Sequence, residues 1–214
     1  MPANSIKISE IFESLQGEGR FAGEPMLFIR VSGCTQSCAF CDTKYHTEGK
    51  EYLLQEVVDI IKKYRGNIVC FTGGEPLLYK EQIRSIILST QKIFHLETNA
   101  ELLDGDLRTL SLFSYVAASP KSKKVAFDIA HFFDYAKSTY GKDTGVYDIK
   151  IVTDGLTIGM DMIKYATMLM PLTTGDMEKD KETQQRVWNL CIEKGLRYSP
   201  RIHVDVWGFK CRKK

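Results

Sequence analysis

Residues 26–43 read MLFIRVSGCTQSCAFCDT. An apolar, β-rich run ends in Ser-Gly and passes at once into a loop with three cysteines. The run has the length and composition of a buried strand. Cys34, Cys38 and Cys41 are spaced C-x3-C-x2-C. Three thiolates on one short loop can hold three corners of a four-iron cluster. The fourth iron then lacks a protein ligand, whereas a cluster that only carries electrons usually has four cysteines. An open coordination position separates reactive metal centres from structural ones. Zinc is a rival reading, since His46 follows closely and could serve as a fourth ligand, but zinc modules usually show a second paired cluster. A disulfide framework suits smaller, cysteine-dense chains in an oxidising compartment. Here six cysteines are spread over 214 residues, and Cys70, Cys191 and Cys211 stand apart.

Outward from this stretch the pattern repeats. EYLLQEVVDIIKKY (51–64) has apolar residues at helical spacing, and NIVCFTGGEP (67–76) is a buried-type strand ending in two glycines. A helix is predicted over 79–91, a strand at IFHLETNA (93–100) and another at LFSYVAASPK (112–121). Residues 127–140 read as a helix and VYDIKIVTDG (146–155) as a strand. Residues 157–169 and 178–195 read as helices, and RIHVDVWG (201–208) as a last strand. Strands alternating with helices argue for parallel β/α units. About six such units fit in a chain shorter than the roughly 250 residues of a closed eight-fold barrel. The expected fold is therefore α/β: a partial, splayed (β/α)6-type barrel with a parallel sheet, in one domain over 1–214. The cysteine loop, TGGEP, ETNA and SPK each follow an apolar strand. In parallel β/α folds the C-terminal strand ends carry the active site, so these motifs should meet in one cleft.

The formal net charge is +2, which gives no electrostatic case for a nucleic-acid or membrane-surface partner. No run approaches the roughly 18 apolar residues of a membrane span, and the first residues lack a signal-peptide core. A reducing cytoplasm, which keeps thiolates available for metal, is the expected location.

The cysteine spacing followed by GGEP after the next strand resembles the radical S-adenosylmethionine (SAM) superfamily. LQGEG (15–19), Asp-Thr directly after the third cysteine, ETNA, SPK and the terminal H-x3-W-G narrow the resemblance to the 7-carboxy-7-deazaguanine synthase family. That resemblance implies a 4Fe-4S cluster on Cys34, Cys38 and Cys41, SAM on the unique iron, and Mg²⁺ on Thr43. It implies 6-carboxy-5,6,7,8-tetrahydropterin as substrate and a radical ring contraction with loss of ammonia. SAM would act as a reusable cofactor, and the cofactors would supply the hard chemistry. Leu15, Gln16, Gly17, Arg30 and Thr72 match the family's substrate contacts. Phe40, Cys41, Asp42, Gly74, Ser119, Pro120 and Lys121 match its SAM side. Glu97 and Asn99 point to the same strand end, and His203 and Trp207 are expected to shape its floor. An electron donor such as flavodoxin and a homodimer are also implied.

Each of these residues has an ordinary reading too. Arg30, alone in an apolar strand, needs a partner, which a substrate carboxylate or a structural ion pair would provide. Gln16 can donate and accept, and GGEP by itself could be a plain turn. The chain departs from the family pattern at LMPLTTGD, where Met170 replaces an amide that helps bind SAM and Thr173 or Thr174 is the candidate substitute. ETNA stands for the more usual ETNG. A glycyl-radical enzyme activase and a non-enzymatic iron–sulfur sensor are the rival functions; LQGEG and the Asp-Thr pair argue against the first, and GGEP with polar residues at several strand ends argues against the second.

Overall fold

The computed structural model describes residues 4–39, 41, 48–103, 105, 107–140 and 146–209. The described residues form a nine-stranded open sheet. The strands are β1 (Ser5–Leu15), β2 (Pro25–Val31), β3 (Lys50–Leu53), β4 (Ile68–Gly73), β5 (Ile93–Thr98), β6 (Tyr115–Ala118), β7 (Val146–Thr153), β8 (Met168–Pro171) and β9 (Arg197–Tyr198). Their order is β3-β1-β2-β4-β5-β6-β7-β8-β9. β1 is antiparallel to both neighbours, and β2 and β4 through β9 run parallel. The sheet does not close, as the short β/α count anticipated. The helices are α1 (Leu54–Lys63), α2 (Lys80–Leu88), α3 (Leu107–Leu110), α4 (Lys123–Tyr140), α5 (Met177–Lys194) and α6 (Ile202–Trp207).

Strand periodicity sorts side chains to two faces. Leu27, Ile29 and Val31 of β2 join Val69, Phe71, Phe94, Leu96, Val116 and Ile149 in the main core. The alternate positions face the other way, into the mouth of the open barrel: Phe28, Arg30, Thr72, Glu97 and Lys150 all line one cleft. Deeper on that face, Met26, Phe28 and Cys70 form a small second core with Phe12 and Phe21.

Four expectations need correction. The strand read at residues 26–31 is not the first, because residues 5–15, up to the start of LQGEG, are themselves β1. The alternation of β1 is broken by a register shift between Ile8 and Glu10. Such a bulge turns the strand's face: Ile6 and Ile8 belong to the main core, while Phe12 and Ser14 face the cleft. Residues 50–53 pair with β1 as β3 before α1 begins, so the helix expected over 51–64 starts late. The helix expected over 157–169 is a 3-10 turn at Met160–Tyr165 followed by the buried strand β8. RIHVDVWG is not a strand but the short helix α6. Its alternating apolar residues find no strand to pair with, and its first turn docks on the β1–β2 hairpin through Ile202 N–H to the Gly17 carbonyl at 2.9 Å.

Candidate active site

The motif-bearing strand ends are joined to each other before any ligand is considered. Gly74 N–H donates to the Val31 carbonyl at 3.3 Å, and Glu75 N–H to the Gly33 carbonyl at 2.8 Å. A Cβ on Gly74 would lie 1.7 Å from the Gly33 carbonyl oxygen. The close approach that glycine permits is thus made to the root of the cysteine loop. Gly73, at φ +130°, would meet Val31 backbone at 2.5 Å. Glu75 is fully buried. Its carboxylate accepts from Leu77 N–H at 2.9 Å, Thr98 Oγ1 at 2.7 Å and Asn99 N–H at 2.8 Å. Burial pushes its pKa up despite these bonds. GGEP therefore locks the cysteine loop to the end of β5.

Asn99 continues the chain of contacts. Its Nδ2 donates to Thr35 Oγ1 at 2.9 Å and lies 3.8 Å from Cys34 Sγ. Gln36 N–H donates to the same sulfur at 3.4 Å. Ala100, which follows, has φ 67°, in the left-handed region that favours glycine. The Ala of ETNA thus carries a backbone cost, set against the burial of its methyl group in the main core. Further along the rim, Ser119 N–H donates to the Thr98 carbonyl at 2.7 Å and Ser119 Oγ to the Lys150 carbonyl at 2.9 Å. Lys121 Nζ donates to the Ser119 carbonyl at 2.7 Å.

The opposite side of the cleft is the β1–β2 hairpin, residues 16–24, which plugs the open barrel. Arg20 clamps buried Asp148 with two bonds of 2.7 and 2.8 Å. Burial raises the Asp148 pKa, but Arg20 and Thr167 outweigh it and hold the group below its usual range. Phe21 packs against His95 and Tyr115 at centroid distances of 4.6 and 4.8 Å. Gly19 N–H donates to Ser199 Oγ at 2.8 Å. A Cβ on Gly17 would fall 2.0 Å from His203 Nδ1, so this glycine seats the histidine ring.

Between plug and sheet lies a charged network. Lys150 Nζ bridges Glu18 Oε2 at 2.7 Å and Glu97 Oε2 at 2.9 Å. Gln16 Nε2 donates to Glu97 Oε1 at 3.3 Å, and Arg201 Nε to Glu18 Oε1 at 3.2 Å. Burial penalises all these charges, but mutual attraction wins at Glu18, which is held well below the usual carboxylate range, and at Lys150, which is raised. At Glu97 burial wins over Lys150, and the pKa rises.

One cleft is lined by Cys34, Cys38, Cys41, Leu15, Gln16, Gly17, Arg30, Thr72, Gly74, Ser119 and Lys121, together with Glu18, Glu97, Asn99 and His203. Arg30 Nε bonds Glu10 Oε2 at 3.0 Å, and its guanidinium lies over the Phe12 ring. The structural ion pair is therefore present, on a side chain that still faces the cleft. Pro120 is buried behind the rim. Phe40, Asp42, Thr43 and His46 lie outside the described residues. Trp207 is 54% exposed and not among the cleft-lining residues. Thr174 is committed to Asp180, with its N–H at 2.7 Å and its hydroxyl at 2.8 Å. Met170 and Leu172, not the threonines, line the cleft there.

Lys150, Arg201, Arg20 and Asp148 were not singled out from the sequence. A signal was present in YDIKIV, where two charges sit at alternate positions of an apolar strand, as Arg30 does.

Among the described residues no three His, Cys, Asp or Glu side chains converge to hold one metal ion. A cluster that takes one thiolate at each of three separate irons does not require that convergence. Three partly exposed thiols on one strand-end loop fit such a group by donor chemistry.

Comparison with known proteins agrees with this geometry. The model of the radical SAM superfamily matches residues 28–187, and the chain belongs to that superfamily. A family of that kind implies a four-iron cluster and SAM as cofactors. The 7-carboxy-7-deazaguanine synthase of Hyperthermus butylicus is 31% identical, over 94% of this chain and 92% of that protein. The synthase of Halobacterium salinarum is 32% identical, over 95% and 91%. Within the superfamily, the chain belongs to the 7-carboxy-7-deazaguanine synthase family. The crystal structure of QueE from Escherichia coli shares the fold with a TM-score of 0.55 at 19% identity, over 93% of this chain and 95% of that one.

Proposed function

We propose that this single-domain chain converts 6-carboxy-5,6,7,8-tetrahydropterin to 7-carboxy-7-deazaguanine by radical ring contraction with loss of ammonia. The observation that carries the reading is the meeting, in one cleft, of the three cysteines, the GGEP and SPK strand ends and the LQG hairpin. The cluster on Cys34, Cys38 and Cys41, with SAM bound, supplies the radical chemistry. The chain's own residues bind, orient and exclude water. Gly74, Ser119 and Lys121 would hold SAM, with Phe40, Cys41 and Asp42 beside it and Pro120 fixing the turn. Leu15, Gln16, Gly17, Arg30 and Thr72 would hold the pterin, Arg30 gripping its carboxylate. Thr43 would contribute one ligand to Mg²⁺, waters and substrate oxygens completing the octahedron.

A homodimer, a flavodoxin-type electron donor and a cytoplasmic location complete the proposal. No helix among the described residues is long and apolar enough to cross a membrane. The test is anaerobic reconstitution with SAM, reductant, Mg²⁺ and the carboxytetrahydropterin. Carboxydeazaguanine should form, and activity should fall on chelation of Mg²⁺. SAM cleavage without turnover of the pterin would refute the reading. Cys38→Ala should lose cluster absorbance and activity together.

A further inference from the structure

The residue that joins the two sides of the cleft is one that no substrate or cofactor motif contains. Lys150 sits on β7 with its side chain 3% exposed. An ammonium ion this deep is costly unless paired, and here it is paired twice. One partner, Glu18, lies 132 residues away on the hairpin, and the other, Glu97, lies 53 residues away at the end of β5. All three line the cleft beside Gln16 and Thr72. Lysine has three donors and no acceptor, so Lys150 serves an N–H-rich ligand only through its partners. The aminopyrimidinone edge of a pterin is such a ligand, because it presents an amino group and a ring N–H.

We infer that Lys150 is the positioning residue of the substrate side: it bridges Glu18 and Glu97 and holds both carboxylates as acceptors for the donor edge of the heterocycle. The inference rests on the synthase reading. Glu18 keeps a second cation in Arg201, whose side chain is only 7% exposed. Glu97 has no other cation within ion-pair distance among the described residues; its remaining side-chain bond is from the Gln16 amide. Removing the ammonium therefore acts mainly on Glu97. Burial raises that group's pKa while Lys150, and more weakly Lys121, oppose it, so loss of Lys150 moves the balance toward the protonated carboxyl, in which one oxygen turns from acceptor to donor.

The test uses the reconstituted enzyme with SAM but no reductant, so that substrate affinity is read without turnover. Lys150→Met keeps the stem and removes the charge. The dissociation constant for the carboxytetrahydropterin should rise at least about tenfold, with cluster absorbance and SAM affinity unchanged. Lys150→Arg, which keeps a donor at both carboxylates, should restore affinity to within a few-fold. Glu97→Gln in the Lys150→Met background should add little, since both changes disable the same acceptor. Substrate affinity within twofold of wild type in Lys150→Met overturns the inference, and so does an additive loss in the double variant. If Lys150→Met does not fold, Glu97→Gln alone decides: it leaves the Lys150–Glu18 pair in place and should show the same tenfold loss, and unchanged affinity there overturns the inference. Wild-type enzyme that does not bind the pterin fails the synthase reading before any variant is compared.

Discussion

The two sides of the cleft are held by different forces. On the cysteine side, the ends of β2, β4, β5 and β6 are joined by backbone contacts and by one buried carboxylate, Glu75. Gly74 packs on the Gly33 carbonyl, Glu75 ties Leu77 to Thr98 and Asn99, and Ser119 bonds the Thr98 carbonyl. On the hairpin side, charged side chains from distant strands meet: Arg20 with Asp148, Glu18 with Lys150 and Arg201. The first construction needs small residues at fixed places in short motifs. The second needs only that opposite charges arrive together in the fold, from positions up to 183 residues apart. The cysteine side should therefore tolerate no added volume, and the hairpin side no unpaired charge.

The largest effect is expected at Gly74. A methyl group there meets backbone, not a flexible side chain, so the strand ends must separate. Gly74→Ala should destabilise the cluster-free protein by about 3 kcal/mol or more and prevent cluster loading. Urea unfolding and the absorbance after reconstitution are the measurements. A Gly74→Ala protein that loads its cluster normally would break the comparison on this side.

Arg20→Met is the matching change on the other side. It leaves Asp148, 1% exposed, with Thr167 as its hydrogen-bond donor but without its cation. Breaking a buried pair from one end costs about 3–5 kcal/mol; Arg20 is itself a third exposed, which puts the loss near the lower figure. Cluster absorbance should survive, because the cysteine loop is held by GGEP and Asn99. Loss of cluster with little loss of stability would show that the two sides are not separately built.

This contrast also sets what was legible. The β/α alternation and the strand-end motifs could be read because glycine pairs, cysteine spacing and apolar runs are local in sequence. Thr98, Asn99 and Ser119 then fell into place through backbone register. β1 was missed because its bulge puts Ile8 and Phe12 on opposite faces, and α6 because Ile202, Val204 and Val206 alternate as in a strand. The ion pairs of Lys150 and Arg201 are not legible in the sequence, because a buried ion pair is specified by two distant residues and neither Lys150 nor Arg201 carries a motif.

A smaller, pH-dependent effect is expected from His95. It is wedged between Phe21 and Tyr115, and burial lowers its pKa from 6.5 to about 4. The folded state keeps this ring neutral while the unfolded chain binds a proton below about 6.5. Its contribution is thus fully present above that pH and is lost as the pH falls toward 4. Urea midpoints from pH 7 to pH 4 should decline, and His95→Leu should flatten that part of the decline. An unchanged slope would show that the plug admits a charged ring.

The smallest change at neutral pH is expected at Ala100. Returning ETNA to a glycine relieves a left-handed alanine, worth about 1–2 kcal/mol. The same change removes a buried methyl group, worth about 0.8 kcal/mol, and adds backbone entropy to the unfolded chain, about 0.5–1 kcal/mol. The opposing amounts nearly cancel, so Ala100→Gly should shift stability by no more than about 1 kcal/mol in either direction. A clear gain would mean that this rim carries strain which the Glu75 and Asn99 bonds hold in place. A clear loss would mean that the Ala100 methyl, packed in the main core, helps close the cysteine side, where volume is otherwise excluded.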